Sequence, residues 1–505
     1  MEKVIRRALV SVYHKEGLAE ILKLLHEQGV EFVSTGGTST FIEGLGYPCV
    51  AVEDLTKYPS MLGGRVKTLH PAIQGGILAR RGHETDQKEV LEYGLSLIDL
   101  VIVDLYPFEA TVASGASEED IIEKIDIGGI SLIRGAAKNF EDVVIIPSQA
   151  DYATLLEILR ERGARTTLEE RRHFARRAFA VSSHYDSAIF RYFDGEERSE
   201  LRLTADEAKP LRYGENPHQK GVFYGDLDRY FEQLHGKELS YNNLQDVEAA
   251  VSLIQDFTEP TFAILKHNNA CGCASRPTLL EAWTDALAGD PVSAFGGVLV
   301  ANRPIDVATA REIDKLFLEV LIAPDFEAEA LTILEGKKNR ILLHQKEAID
   351  ARWSYRSMLG GVLAQETDRA VETTAEMKPV TKVAPTAEEL TDLVFATKLV
   401  KHSKSNAIVL SKGGQLIASG VGQTSRVDAL KQAIEKARHF GFDLKGAVLA
   451  SDAFFPFDDC VTLAAEAGIT AIAQPGGSVR DADSIAAADR LGIAMVMTGV
   501  RHFKH

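Results

Sequence analysis

Ala8-Leu9-Val10-Ser11-Val12, the 17–29 segment behind it and Glu31-Phe32-Val33-Ser34 decide the fold class. The first run is apolar and of strand length. The second places Leu18, Ile21, Leu22 and Leu25 at helical spacing and is closed by Gly29. The third is again a strand, and residues 38–46 predict a second helix. Near-continuous apolar runs at 97–105 and 142–146 predict further strands. Strands alternating with helices imply a parallel sheet covered on both faces. Residues 166–193 then form one long helical pattern, rich in Arg and aromatics, and the polar stretch 194–200 reads as an exposed joint. The main boundary is placed there. Residues 1–199 hold a core of about 1–148 and a helical extension, and 200–505 form a second domain. Strand-like runs at 262–265 and 292–300, and again at 407–410, 447–451 and 471–473, predict two α/β lobes. A Thr/Glu/Pro-rich connection over 370–385 divides them into about 200–375 and 376–505, alike in pattern more than in sequence.

A chain of 505 residues exceeds what one core organises, and its 26% charged and 45% hydrophobic content is ordinary for a soluble globular protein. A net charge of −17 argues against a broad nucleic-acid-binding face. Cys49, Cys271, Cys273 and Cys460 are too few and scattered for a disulfide framework, which predicts a reducing compartment. No apolar h-region follows the first residues and no run reaches the roughly 20 apolar residues of a membrane span. The expectation is a cytoplasmic protein without a signal peptide or membrane contact.

The run Ala263-Ile264-Leu265 ends in Lys266-His267-Asn268-Asn269, followed by Ala270-Cys271-Gly272. An ammonium, an imidazole and two carboxamides at a strand end put proton-transfer and oxyanion-stabilising groups where a rigid sheet can aim them. Cys271 and Cys273 near His267 raise a zinc site, but the spacing is not that of a zinc pair and no His-x-Glu accompanies it. No catalytic metal is expected.

In the first domain, Ser34-Thr35-Gly36-Gly37-Thr38 lies between a strand and a helix, where glycines admit an anion to free N–H groups. Taken alone, the stretch reads rather as a glycine turn with Thr38 as helix N-cap. In Gly63-Gly64-Arg65-Val66-Lys67-Thr68-Leu69-His70-Pro71, an extended segment would put Arg65 and Lys67 on one side, next to Thr68, as a phosphate clamp. Asp104-Leu105-Tyr106-Pro107-Phe108 ends a strand, where parallel sheets hold ligands. Asp126 before Gly128-Gly129 reads alone as a helix cap, and Lys138 alone as a surface lysine. In the second domain, residues 211–219, 293–297, 405–406, 422–426, 451–457, 474–478 and 498–505 bring polar and aromatic residues around glycines. Phe454, Phe455 and Phe457 read equally as core or as ligand contacts.

In order and spacing these motifs closely resemble the bifunctional purine-biosynthesis family that joins AICAR transformylase to IMP cyclohydrolase, across essentially the whole chain. The resemblance implies a methylglyoxal-synthase-like parallel-sheet N-terminal domain and a C-terminal transformylase of two cytidine-deaminase-like α/β lobes working without metal. It implies the last two steps of IMP synthesis, with 10-formyltetrahydrofolate as co-substrate, AICAR, FAICAR and IMP as small-molecule ligands, and a homodimer. Matched by motif, Lys67, Tyr106, Asp126 and Lys138 would act in ring closure. Tyr13, His14, Lys15, Thr35, Gly36, Gly37, Thr38, Arg65, Val66, Thr68, Asp104 and Ile127 would bind that substrate. Lys266 and His267 would act in formyl transfer. Arg212, Tyr213, Gly296, Glu319, Asn406, Phe454, Asp459 and Arg501 would contact the aminoimidazole nucleotide. Arg426, Val427, Ser478 and Val479 would contact the folate.

This chain departs from the family pattern at three places. Tyr13-His14 replaces a small hydroxyl followed by an acid, Asp104 replaces an Asn, and Ala270 replaces a proline. Two rival readings are a methylglyoxal-synthase-type lyase, which leaves some 300 residues unused, and a non-catalytic nucleotide sensor that kept the pockets.

Overall fold

A computed structural model describes residues 2–205 and 207–505. The chain divides into two compact units, Met1–Asp206 and Glu207–His505.

In the first unit, a five-stranded parallel sheet runs in the order Cys49–Ala51, Glu31–Ser34, Arg7–Ser11, Leu100–Val103 and Val144–Ile146. Helix Leu18–Glu27 turns Leu18, Ile21, Leu22 and Leu25 fully inward, as the spacing predicts. Each such burial stabilises by about 1.5–3 kcal/mol. The predicted long helix is Leu168–Asp194, started by a capping box between Thr167 and Glu170. Strand order reverses between Arg7–Ser11 and Leu100–Val103, whose neighbours lie on opposite sides. Ligands in such sheets sit at the carboxyl ends of the strands at that switch point.

Two local expectations fail in this unit. The second helix is Gly36–Gly44, so Thr38 lies inside it, and no side chain caps it. Buried against the sheet, Thr38 instead donates to the Val12 carbonyl (3.0 Å). Residues 62–69 are also not extended. Gly63 and Gly64 have φ of 65° and 89°, which lets the chain coil through successive turns. Arg65 N–H donates to Leu62 O and Lys67 N–H to Gly64 O. Arg65 and Lys67 therefore do not alternate along a strand.

The second unit is built on a twelve-stranded mixed sheet with an internal repeat. Its first half runs Phe231–His235, Ile341–Gln345, Val320–Ala323, Val298–Ala301, Thr261–Lys266, Asn269–Ser275. Read from the opposite edge, its second half runs Lys378–Pro379, Ala494–Met497, Ala471–Gln474, Val448–Ser451, Ile408–Lys412, Gln415–Gly420. In each half the six strands, numbered along the chain, lie in the order 1-6-5-4-2-3. The senses also match: an antiparallel edge pair, three parallel strands, then an antiparallel hairpin. The halves join through Asn269–Ser275 and Gln415–Gly420. The lobes inferred from pattern are thus two copies of one topology. Residues 292–297, expected in a strand, instead form the turn that precedes Val298–Ala301.

Candidate functional sites

At the switch point of the first unit, the ends of the two central strands are tied together. Asp104 Oδ2 accepts from the His14 backbone N–H (2.9 Å) and lies 2.6 Å from His14 Nδ1. Tyr13 and Tyr106 meet edge to face at 5.7 Å. The departures Tyr13-His14 and Asp104 therefore compensate one another: the acid at 104 holds the imidazole at 14. Lys15 turns back, donating to the Val12 and Tyr13 carbonyls. Burial lowers its pKa against the opposing charge of Asp104.

Asp126, expected as a helix cap, lies one residue ahead of Ile127, the N-cap of helix Gly128–Lys138, yet it accepts from Gly129 N–H (2.6 Å), while its own N–H donates to Tyr185 Oη (2.8 Å). Burial raises its pKa, with backbone N–H groups of Gly129, Tyr106 and Gly128 opposing that shift. Burial and the Asp126 charge likewise raise the Tyr106 phenol. Lys67 crosses the glycines: a Cβ on Gly64 would lie 2.7 Å from its Cε and one on Gly36 3.7 Å from its Nζ. A Cβ on Gly128 would lie 3.0 Å from Thr68 Oγ1. The 35–38 and 64–68 segments thus meet at Lys67, and 68 meets the Asp126 turn. Arg65 is exposed and ion-paired with Glu123, and Ile127 is exposed. Lys138 ends the helix that Asp126 begins, about 15 Å along its axis from Gly128. The structure does not set Lys138 beside Asp126.

Lys124 is the residue that sequence reasoning missed. Its Nζ lies 5.4 Å from the Tyr13 ring centroid and 5.6 Å from that of Tyr106. Only its adjacency to the 125–129 motif could have suggested it.

In the second unit, His267 and Asn268 form the tip of the hairpin between Thr261–Lys266 and Asn269–Ser275, both with positive φ (52° and 65°). His267 is exposed and lines a cavity of about 230 Å³ with Glu215, Asn216, Asn242, Gln245, Asp246 and Asn268. The 211–219 motif reaches this cavity through Glu215 and Asn216. Arg212 and Tyr213 pack on each other nearby in sequence, guanidinium over ring at 4.8 Å. Lys266 Nζ donates to the Phe295 carbonyl, and a Cβ on Gly296 would lie 3.6 Å from that Nζ. Phe295 and Phe317, both exposed, pair at 5.0 Å beside it. Glu319 carries an ion pair to Lys237 (2.6 Å).

Backbone bonds stitch the remaining motifs to this tip. Lys404 N–H donates to Asn269 Oδ1 (3.0 Å), Ser405 N–H to Lys504 O (2.9 Å), and His502 N–H to Asp452 O (3.0 Å). The 403–406 loop, the 452 turn and the terminal segment with Arg501 are thus gathered. Arg426 departs from its expected place at a ligand. It is buried, donating to Asn406 Oδ1 (2.9 Å), Ser451 Oγ (2.9 Å) and fully buried Asp452. A guanidinium desolvated in this way must be paired, so its groups are spent on the protein. Of the three phenylalanines, Phe455 is core, while Phe454 and Phe457 are exposed. Val427 packs on the second lobe's core. Asp459 accepts from Cys460 N–H (2.7 Å) at a helix start, and Val479 is fully exposed beside Ser478. Cys271 and Cys273 are buried, which raises both thiols.

The sequence matches two family models, "AICARFT/IMPCHase bienzyme" over residues 136–436 and "MGS-like domain" over residues 17–131. A protein of Bacteroides thetaiotaomicron called "Bifunctional purine biosynthesis protein PurH" is 67% identical over 503 residues, covering 100% of this chain and 99% of the relative. Proteins of the same name from Chloroflexus aurantiacus and Chlorobium luteolum are 48% and 47% identical, each over 100% of this chain and over 99% and 100% of the relatives.

Proposed function

Because the chain belongs to the AICARFT/IMPCHase bienzyme family, we propose that its two gathered sites divide that family's two reactions between the two units. The protein is a bifunctional AICAR transformylase and IMP cyclohydrolase of purine biosynthesis, with an MGS-like N-terminal domain. Formyl transfer falls to the Lys266-His267 tip. The observation that carries this assignment is the opening of His267 into a cavity while Lys266 is fixed against the Phe295 carbonyl.

The formyl donor is 10-formyltetrahydrofolate. The AICAR amine is weakened by conjugation to its carboxamide, so its attack on the formyl carbon needs proton removal. His267 accepts that proton as general base from the hairpin tip. Lys266 stabilises the oxyanion of the tetrahedral intermediate. The bond from carbon to N10 then breaks, and N10 takes a proton as tetrahydrofolate leaves. Phe295 and Phe317 give a planar ligand a stacking surface. Arg212, Tyr213, Gly296, Glu319, Asn406, Phe454, Asp459 and Arg501 surround the nucleotide, and Val427, Ser478 and Val479 the folate. Arg426 serves by holding Asn406 rather than by touching the folate.

Ring closure falls to the switch point. The carboxamide nitrogen attacks the formamido carbon and water leaves, so positioning dominates. Asp126 and Tyr106 orient the two reacting groups and Lys67 stabilises charge, while Lys138, expected from the resemblance to act here, lies at the far end of its helix and is given no direct step. The 35–38 segment with Arg65, Val66 and Thr68 holds the phosphate, and Tyr13, His14, Lys15, Asp104 and Ile127 complete the pocket.

The division between the two domains, expected after residue 199, falls between the units Met1–Asp206 and Glu207–His505, and the protein works as a cytoplasmic homodimer. No described helix is long and apolar enough to cross a membrane. Mass-resolved product formation from AICAR and 10-formyltetrahydrofolate tests the whole reading. IMP is expected; absence of both formylated AICAR and IMP would overturn it.

A further inference from the structure

The internal repeat extends to a single carboxylate. Helix Tyr241–Ile254 starts at a Ser240/Asn243 capping box, and helix Ala387–Lys401 at a Thr386/Glu389 capping box. In both, the sixth residue after the N-cap is an aspartate, Asp246 or Asp392. Each helix precedes the hairpin of its own lobe, and each aspartate clamps the tip of that hairpin. Asp392 accepts from Gly413 N–H (2.7 Å) and Gly414 N–H (2.6 Å). Asp246 accepts from Asn268 N–H (2.7 Å). With its amide turned so that the nitrogen faces the acid, Asn268 also donates to Asp246 Oδ1 (3.1 Å) and Gln245 O (3.0 Å).

What differs is the tip. Gly413 and Gly414 adopt positive φ (58° and 68°) without steric cost, whereas His267 and Asn268 adopt the same sign with side chains. The first lobe therefore keeps a strained pair where the second shows that glycines suffice. Strain of this kind persists only where the surroundings hold it, and the Asp246 clamp is the element that does so. Asp246 also lines the cavity into which His267 opens.

We propose that Asp246 is a positioning residue for formyl transfer, holding the 267–268 tip so that the His267 imidazole is aimed into the cavity. Asp392, its repeat-related twin, clamps a tip that carries no side chain and so serves the fold alone. Burial pushes the Asp246 carboxyl up, against the Asn268 N–H and the charges of His267 and Lys266, so the acid faces both groups it helps to place. The inference rests on the assignment of His267 to proton removal.

The test compares D246N and D392N in the full chain, with FAICAR ring closure in the other unit as an internal control. Asparagine keeps shape and one acceptor but sets an NH2 group against the donors of the tip. D246N should lower kcat of formyl transfer at least tenfold and leave ring closure unchanged, whereas D392N should lower thermal stability and leave transfer kcat within about twofold. Equal effects of the two variants on kcat would reduce Asp246 to a structural clamp and overturn the proposal. In an H267A background, D246N should cost no further activity, since a residue acting through His267 has nothing left to position. Additive losses would overturn it too. Full transfer by H267A itself would instead sink the underlying assignment, which separates the two failures. Should D246N not fold, N268G supplies the answer. It keeps the backbone bond, removes the side-chain one and should lower transfer kcat several-fold; wild-type kcat there would overturn the proposal.

Discussion

His502 Nε2 lies 2.8 Å from Glu372 Oε1, with both side chains buried, and its Nδ1 lies 2.6 Å from Asp368 Oδ2. Two carboxylates on one imidazole call for a proton on each ring nitrogen. Burial opposes the resulting charge, but the bonds to Asp368 and Glu372 outweigh it and raise the pKa to about 9. The clamp fixes the terminal segment that carries Arg501 against residues 368–372.

A group whose folded pKa exceeds its unfolded value stabilises fully below the unfolded pKa. His502 should therefore contribute its full amount below about pH 6.5 and lose it as pH rises through about 9. H502Q should destabilise the second unit by on the order of 2–3 kcal/mol at pH 6 and by much less above pH 10. Denaturant midpoints at the two pH values check this, and a difference independent of pH would refute it.

H267G should stabilise the hairpin while ending formyl transfer. Removing the Cβ from a residue at φ 52° relieves about 1 kcal/mol. A melting temperature at or above wild type, combined with loss of transfer and intact ring closure, is the expected outcome.

D126N should keep the bond at the helix start, since an amide oxygen can still accept from Gly129 N–H, but should slow ring closure at least tenfold. Because burial raises the Asp126 pKa, wild-type closure should fade on acidification at a pH above the ordinary aspartate value of about 3.9. Measuring closure of FAICAR from pH 4 to 8 tests both points, and formyl transfer should not follow the same acid limb.

K124M removes the cation shared by Tyr13 and Tyr106, an interaction of about 0.5–1 kcal/mol in a partly exposed setting. Ring closure should drop by roughly two- to fivefold, with no change in formyl transfer.

R426A leaves Asp452 buried and unpaired, which should cost about 3–5 kcal/mol of stability. If Arg426 were instead a folate contact, the variant would weaken folate binding at unchanged stability. Thermal denaturation without ligand distinguishes the two.

The alternation of strands and helices, the inward face of Leu18–Glu27 and the long helix over 166–193 were all legible in the sequence. Each depends on residues a few positions apart. The place of Lys266-His267 at a strand end was equally legible, because polar residues at the end of an apolar run announce a strand tip. Family resemblance, carried by the order of motifs, supplied the chemistry. Where local pattern met long-range packing, the tertiary structure decided. Thr38 turned inward because the sheet buried it, and residues 62–69 coiled because Gly63 and Gly64 permit positive φ. Arg426 reads as a ligand contact until Asp452, 26 positions away, takes its charge. Lys124, Asp246 and the carboxylates on His502 have no sequence signature, since their partners lie on other elements and are brought near only by folding. The repeat is the sharpest case. Its halves read in the sequence only as two lobes of like pattern, while the shared strand order, sense and clamping aspartate emerge in the fold, because backbone hydrogen bonding and burial constrain topology more tightly than they constrain side chains.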